Sequence, residues 1–221
     1  MSAAVSLGLP WRSLLLAGLA AGFYLAAGPA PEFWVYARQG LADGQLWRML
    51  SGHLVHSDPA HLGWDLGALL LLGWAFEPLL RQRFWPLLGV AALAIDAGLW
   101  FGLPGLAGYC GLSGLLNALL AAGLWRLWRQ HGPHPLVAVI ALLSLLKPLW
   151  ELGAGRALFT DTLWPSLPEA HLLGLAAGLG YALWIWPETA GARIGRGPGT
   201  ATGGAAGSRP EPAQGAGKGP R

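Results

Sequence analysis

The sequence predicts an all-α protein: a polytopic membrane bundle of six transmembrane helices followed by a disordered tail. Three observations carry that prediction. Hydrophobic residues make up 54% of the chain and charged residues only 11%, against about 25% charged in a soluble domain, so lipid is the expected solvent. Six apolar runs recur at near-spanning length, and a spanning helix needs roughly 20 mainly apolar residues. The excess of Gly, Ala, Leu and Trp suits packed membrane helices, where small residues let backbones approach and Trp sits at the interfaces.

The first run is Trp11–Ala27. With Arg12 at its start and "GPAPE" after it, it also has the outline of a signal peptide, but an uncleaved span fits the charge pattern better. The segment Gly28–Ala60 is too long and mixed for a tight turn and is expected to form a structured amphipathic loop on the membrane surface. The second run, His61–Leu80, "HLGWDLGALLLLGWAFEPLL", and the fourth, Gly111–Trp128, "GLSGLLNALLAAGLWRLW", are the clearest. Between them lies Trp85–Leu103. The fifth run, Pro135–Leu152, contains Lys147-Pro148, and an internal proline predicts a kink. The sixth is Glu169–Trp186. From Pro187 onward Gly, Ala, Pro and Arg dominate, with nothing to bury. The expected division is a six-span membrane domain over 1–186 and a disordered cytoplasmic tail over 187–221.

Charge orients the spans. With the N-terminus inside, the inner side receives Arg12, Arg81, Arg83, Arg126, Arg129, Arg193, Arg196, Arg209, Lys218 and Arg221. Only Arg38, Arg48 and Arg156 fall outside, and Lys147 lies within a span. The positive-inside rule therefore puts both termini in the cytoplasm, in an integral protein of the bacterial inner membrane. The net charge of +3 is scattered over short loops and the tail; with no basic stripe among aromatics, nucleic acid is not an expected partner. One cysteine, Cys110, excludes an internal disulfide.

In this topology the even-numbered runs start at the outer face. His61 begins the second, Ser113 lies in the first turn of the fourth, and His171 is near the start of the sixth. All three are expected at one shallow depth. Ionisable groups within membranes usually face a wet cavity or a partner, and such a cavity would bring water to Ser113. A serine is a poor nucleophile until a base takes its proton, and His171 is the best candidate base because imidazole titrates near neutrality. A helix N-terminus at Ser113 offers free N–H groups to a developing oxyanion, and His61 could add a hydrogen bond. The short GxSG pattern at Gly111–Gly114 lacks the second spaced glycine of a GxSxG elbow and follows no strand, so it does not read as an α/β-hydrolase.

On these residues the chain resembles the rhomboid intramembrane serine proteases, over roughly Leu46 to Leu183. The motifs are "LWRML" (Leu46–Leu50), "HLVHSDPAHLGWD" (His53–Asp65), "GLSG" (Gly111–Gly114) and "AHLLGLAAGL" (Ala170–Leu179). The resemblance implies a Ser113–His171 catalytic dyad, with His61 and the Ser113 N–H in the oxyanion hole and no cofactor or metal. It implies membrane-anchored protein substrates cut near the outer face. Within the family, "GHLVH" and "LLKPLWELGAG" are similar to rhombosortases, which are associated with C-terminal Gly-Gly anchor signals.

Two positions depart from the family pattern. Asp65 stands where an asparagine is usual. An ionised carboxylate only accepts hydrogen bonds, so Asp65 is expected either neutral and donating, which burial favours slightly, or turned to orient His61. Asn117 stands where many relatives carry an aromatic and is a candidate hydrogen-bond partner of His171. His53 and His56 are expected to support the loop above the site, Arg48 to anchor that loop or touch lipid headgroups, and Glu77 to be a structural hydrogen-bond partner. Lys147 and Glu151 are spaced to pair on one helix face. Cys110 reads as a small buried hydrophobe, and Asp96 has no assigned role. Two other readings stay open: an inactive rhomboid relative that binds membrane clients, and a metal-binding membrane protein using His53, His56, His61, His171 and Asp65. The oligomeric state is not legible.

Overall fold

The computed structural model describes residues 8–158 and 162–187 and is mostly helical. In chain order its α-helices are α1 (Trp11–Ala27), α2 (Arg38–Ala42), α3 (Arg48–Ser51), α4 (Pro59–Leu80), α5 (Phe84–Gly102), α6 (Ser113–His131), α7 (Pro135–Ala154) and α8 (Pro168–Ile185). The six long ones coincide with the six expected runs to within three residues at either end. On length and apolarity alone, two stretches qualify as membrane spans: Pro59–Gly102, which comprises α4 and α5 joined by a 3-10 turn, and Pro135–Ala154. Trp11–Ala27 is a shorter apolar helix. The expected tail lies outside the described residues from 188 onward.

α6 is the centre of the bundle and packs on α4, α5, α7 and α8. Its buried residues include Leu115, Leu116, Leu119 and Leu124, which meet Leu69 and Phe76 of α4 and Ile95 and Leu99 of α5 in one apolar core. α7 is peripheral: only Pro148 and Glu151 are buried, while Leu142, Leu143, Leu146 and Leu149 are exposed. Such a face is suited to lipid. The helix runs through Pro148 without a break, so the proline does not divide the fifth run. Membrane helices tolerate proline where neighbouring groups satisfy the freed backbone.

Polar side chains inside the bundle close helix ends. The first N–H groups of a helix have no intrahelical partner. At α1 they are met by Glu77 of α4, which accepts from Arg12 N (3.0 Å), Ser13 N (2.9 Å) and Ser13 Oγ (2.8 Å). A carboxylate there also complements the helix dipole. At the other pole, Arg38 Nη2 donates to the carbonyls of Leu99 (3.1 Å), Leu103 (3.1 Å) and Trp100 at the end of α5, a cation where the dipole favours one.

The surface loop is tied down residue by residue. Arg48 is buried, and its Nη1 donates to the carbonyls of Glu32 (2.6 Å) and Val35 (2.8 Å) while Nε donates to Gln45 Oε1 (2.7 Å). Of its two expected roles the structure shows loop anchoring. A two-residue strand β1 (Tyr36–Ala37) pairs antiparallel with β2 (Gly108–Tyr109), Tyr36 opposite Tyr109. This joins the loop to the backbone that enters α6. Asp96 finds its partner here: His53 Nε2 lies 3.4 Å from Asp96 Oδ1, both groups buried. His53 therefore fastens the loop to α5.

Candidate active site

Ser113 is the first residue of α6 and His171 lies in the first turn of α8. Their side chains meet, with His171 Nε2 2.9 Å from Ser113 Oγ. The cause is two glycines of α8. A Cβ at Gly174 would fall on the Gly114 carbonyl oxygen, and one at Gly178 on the backbone of Ala118. Small residues four apart let two membrane helices approach at backbone distance, and α6 and α8 make the most extensive helix contact in the bundle. A larger residue at either position would push His171 away from Ser113.

The turn into α6 is held at three points. Gly111 N donates to Gly52 O (3.0 Å), Tyr109 Oη to Gly111 O (2.9 Å), and Leu112 N to Asp65 Oδ2 (2.7 Å). Gly111 has φ +114°, and a Cβ there would strike His61 Nε2. Only glycine satisfies both constraints. Ser113 itself, opening the helix, has an N–H with no partner inside α6.

Asp65 is used as an acceptor. Besides the Leu112 N–H, its Oδ2 faces His56 Nε2 (3.1 Å) and His61 Nε2 (3.6 Å). An amide N–H can only donate, so this oxygen accepts. Asp65 thus ties down the loop before Ser113 and faces the two imidazoles. His56, fully buried, acts through Asp65. Asn117 is corrected more plainly: its Nδ2 donates to its own helix at Ser113 O (2.9 Å), not to His171. The Ser113 carbonyl lies four residues back on the same helix face, within reach of a side-chain amide.

Asp58 organises the entrance. It caps α4 by accepting His61 N–H (2.9 Å), and it also accepts from Ser57 Oγ (2.7 Å) and Leu163 N (2.9 Å). Burial pushes the Asp58 carboxyl up, but these hydrogen bonds outweigh it and hold the group below its ordinary value. The Leu163 bond draws the segment before α8 over the site. Ser57 N and Oγ both approach His61 Nδ1, at 3.5 and 3.0 Å.

A cavity of about 460 Å³ runs beside these groups, lined by His61, Ser113, Asn117 and His171 and roofed by Trp164 and Leu167. It has room for several waters, and its largely apolar wall carries these polar groups on one side for them to meet. Cys110 also borders it, but burial, reinforced by nearby Asp65, pushes its thiol up to about 12. The thiolate is the nucleophilic form, and Cys110 is kept from it, whereas Ser113 Oγ has an imidazole within hydrogen-bond reach. Among the described residues no three His, Cys, Asp or Glu side chains gather as a metal centre requires. The histidine nitrogens face carboxylates instead, His53 with Asp96 and His56 with Asp65.

Sequence reasoning missed Ser57, Asp58 and the placement of Glu151. "SDPAH" carries a helix-start signal, an N-cap Asp before Pro at the first helical position, which could have identified Asp58. Lys147 and Glu151 do pair, at 2.6 Å, but Glu151 also reaches the site, with Oε2 3.8 Å from His171 Nδ1. An ionisable residue within an apolar run was the available signal.

The family model of the rhomboid domain matches residues 43–188 of the chain. The match begins ahead of α3 and ends just past α8, leaving α1 outside it. No curated protein matches.

Proposed function

The chain belongs to the rhomboid family of intramembrane proteases and is an integral membrane protein, and from that premise we propose that it is a serine endopeptidase with Ser113 as nucleophile and His171 as general base. The observation that carries the reading is the 2.9 Å contact between Ser113 Oγ and His171 Nε2, beside a cavity of about 460 Å³. Oγ attacks the scissile carbonyl carbon as its proton passes to Nε2. The oxyanion takes a hydrogen bond from the Ser113 N–H and one from His61 Nε2. Gly111 N–H and Leu112 N–H are already engaged and contribute by holding the turn. The tetrahedral adduct collapses, Nε2–H protonates the leaving amine, and an acyl-serine remains. Water, deprotonated by His171, then releases the new C-terminus.

Six spans with both termini cytoplasmic put this site at the outer face. The support is the distribution of Lys and Arg and the common position of His61, Ser113 and His171 at helix N-terminal ends. The expected substrates are membrane-anchored proteins. The similarity of "GHLVH" and "LLKPLWELGAG" to rhombosortases narrows the proposal to proteins with C-terminal Gly-Gly anchor signals.

One experiment tests mechanism and orientation together. A membrane-impermeant fluorophosphonate is expected to label right-side-out vesicles, with the adduct mapped to Ser113 by mass spectrometry. Labelling of inside-out vesicles alone would reverse the topology; an adduct on Cys110, or none on Ser113, would remove the mechanism.

Asp65 gives a further expectation. Asp65→Asn keeps an oxygen for the Leu112 N–H and should retain most activity. Asp65→Ala leaves that buried N–H unpaired, at about 1–3 kcal/mol, and frees the residue before Ser113. Its turnover should fall at least tenfold; full turnover in Asp65→Ala would separate Asp65 from the site.

A further inference from the structure

We infer that Glu151 is a positioning residue for His171, so that the site works as a Ser113–His171–Glu151 series rather than an isolated pair; this rests on the roles of Ser113 and His171 proposed above. Glu151 lies on α7 and is 1% exposed. Its Oε1 is fixed, accepting from Lys147 Nζ (2.6 Å) and Leu158 N (2.9 Å). Its Oε2 is buried with no hydrogen-bond partner and lies 3.8 Å from His171 Nδ1. A buried acceptor left unpaired is costly, and Nδ1 is the donor that faces it.

The other side of the ring dictates what Nδ1 carries. To receive the Ser113 proton, Nε2 must be bare, so the neutral ring holds its proton on Nδ1. A carboxylate facing Nδ1 selects that tautomer and stabilises the imidazolium once Nε2 is protonated. The Nδ1 proton stays on the ring throughout, and Nε2–H goes on to the leaving amine. At 3.8 Å the contact is longer than a hydrogen bond, and catalytic contacts in free enzymes commonly shorten when substrate binds. Tethering Oε1 twice leaves Oε2 to make that approach.

Titratable groups lining the same cavity are His61 and Asp65 from α4, Tyr109 and Cys110 ahead of α6, and Lys147 from α7; Glu169 stands two residues before His171 in the first turn of α8. Lys147 and Glu151 act on His171 with opposite sign, and this separates an electrostatic role from a packing one. The test measures the rate of Ser113 labelling by a fluorophosphonate, in membranes, from about pH 5 to about pH 9, the range in which imidazole titrates. Glu151→Gln preserves shape and an acceptor for Leu158. It is expected to slow labelling about a hundredfold or more, by analogy with loss of the carboxylate in a serine triad. Its acid limb should move to lower pH, because imidazolium has lost a neighbouring negative charge. Lys147→Met should move the limb to higher pH, and Glu151→Asp should recover part of the rate. An unmoved limb with wild-type rate in Glu151→Gln overturns the inference, as do shifts of both variants in one direction. If Glu151→Gln is lost from the membrane fraction, Lys147→Met decides: a shift to higher pH supports the inference and an unmoved limb overturns it. Failure of wild type to label at Ser113, or wild-type labelling in His171→Ala, instead overturns the underlying assignment and the inference with it.

Discussion

Ser113→Ala is expected to eliminate proteolysis, with a loss of about a millionfold in turnover if the site behaves like other serine protease sites in which the nucleophile is removed. Without Oγ no acyl-enzyme forms, and the oxyanion donors and the cavity alone give little rate. The fold should be untouched. Ser113 makes no side-chain cap for α6, and its one side-chain contact is with His171. The turn is held instead by Gly111, Leu112 and Tyr109. The variant should therefore accumulate in membranes at wild-type level while cleaving nothing. Normal cleavage in Ser113→Ala together with its loss in Cys110→Ala would transfer the nucleophile to the thiol, against the position of its pKa near 12.

His171→Ala should be comparably severe, and the comparison with Ser113→Ala is the informative part. Groups that act as one unit lose their effect together. The double variant Ser113→Ala/His171→Ala should thus be no slower than either single one. Independent contributions would instead multiply. His171 is nearly buried between α6 and α8, so its removal also leaves space, and extraction and thermal stability should be checked beside the rates. Undiminished probe labelling of His171→Ala at neutral pH would mean that another group serves as base.

Much of the candidate site could be read from the chain because each piece has its own local signature. GxSG marks a tight entry into an apolar run, and Gly111 at φ +114° against His61 explains that glycine. "AHLLGLAAGL" marks a helix able to dock closely, and Gly174 and Gly178 do so on Gly114 and Ala118. The cross-helix partners of Asp65, Asp96 and Glu151 carry no such signature. Each depends on which way a helix is turned about its axis, and α4 and α8 are apolar on nearly every side. With no amphipathic stripe there is nothing in the pattern to say which residues face inward.

The sequence by itself determined where the helices lie, because in lipid every backbone polar group must be satisfied within a segment and apolar length then reports each helix directly. It also determined that His61, Ser113 and His171 all stand at N-terminal ends of helices, which follows from chain order alone. Tertiary structure decided the rest: that Asp65 holds the Leu112 N–H, that Asp96 pairs with His53, and that Glu151 turns one free oxygen toward His171. These are contacts across residues far apart in the chain, fixed by the rotation and separation of packed helices. Glycine contacts between α6 and α8 bring the two backbones together, and His171 Nε2 then stands 2.9 Å from Ser113 Oγ.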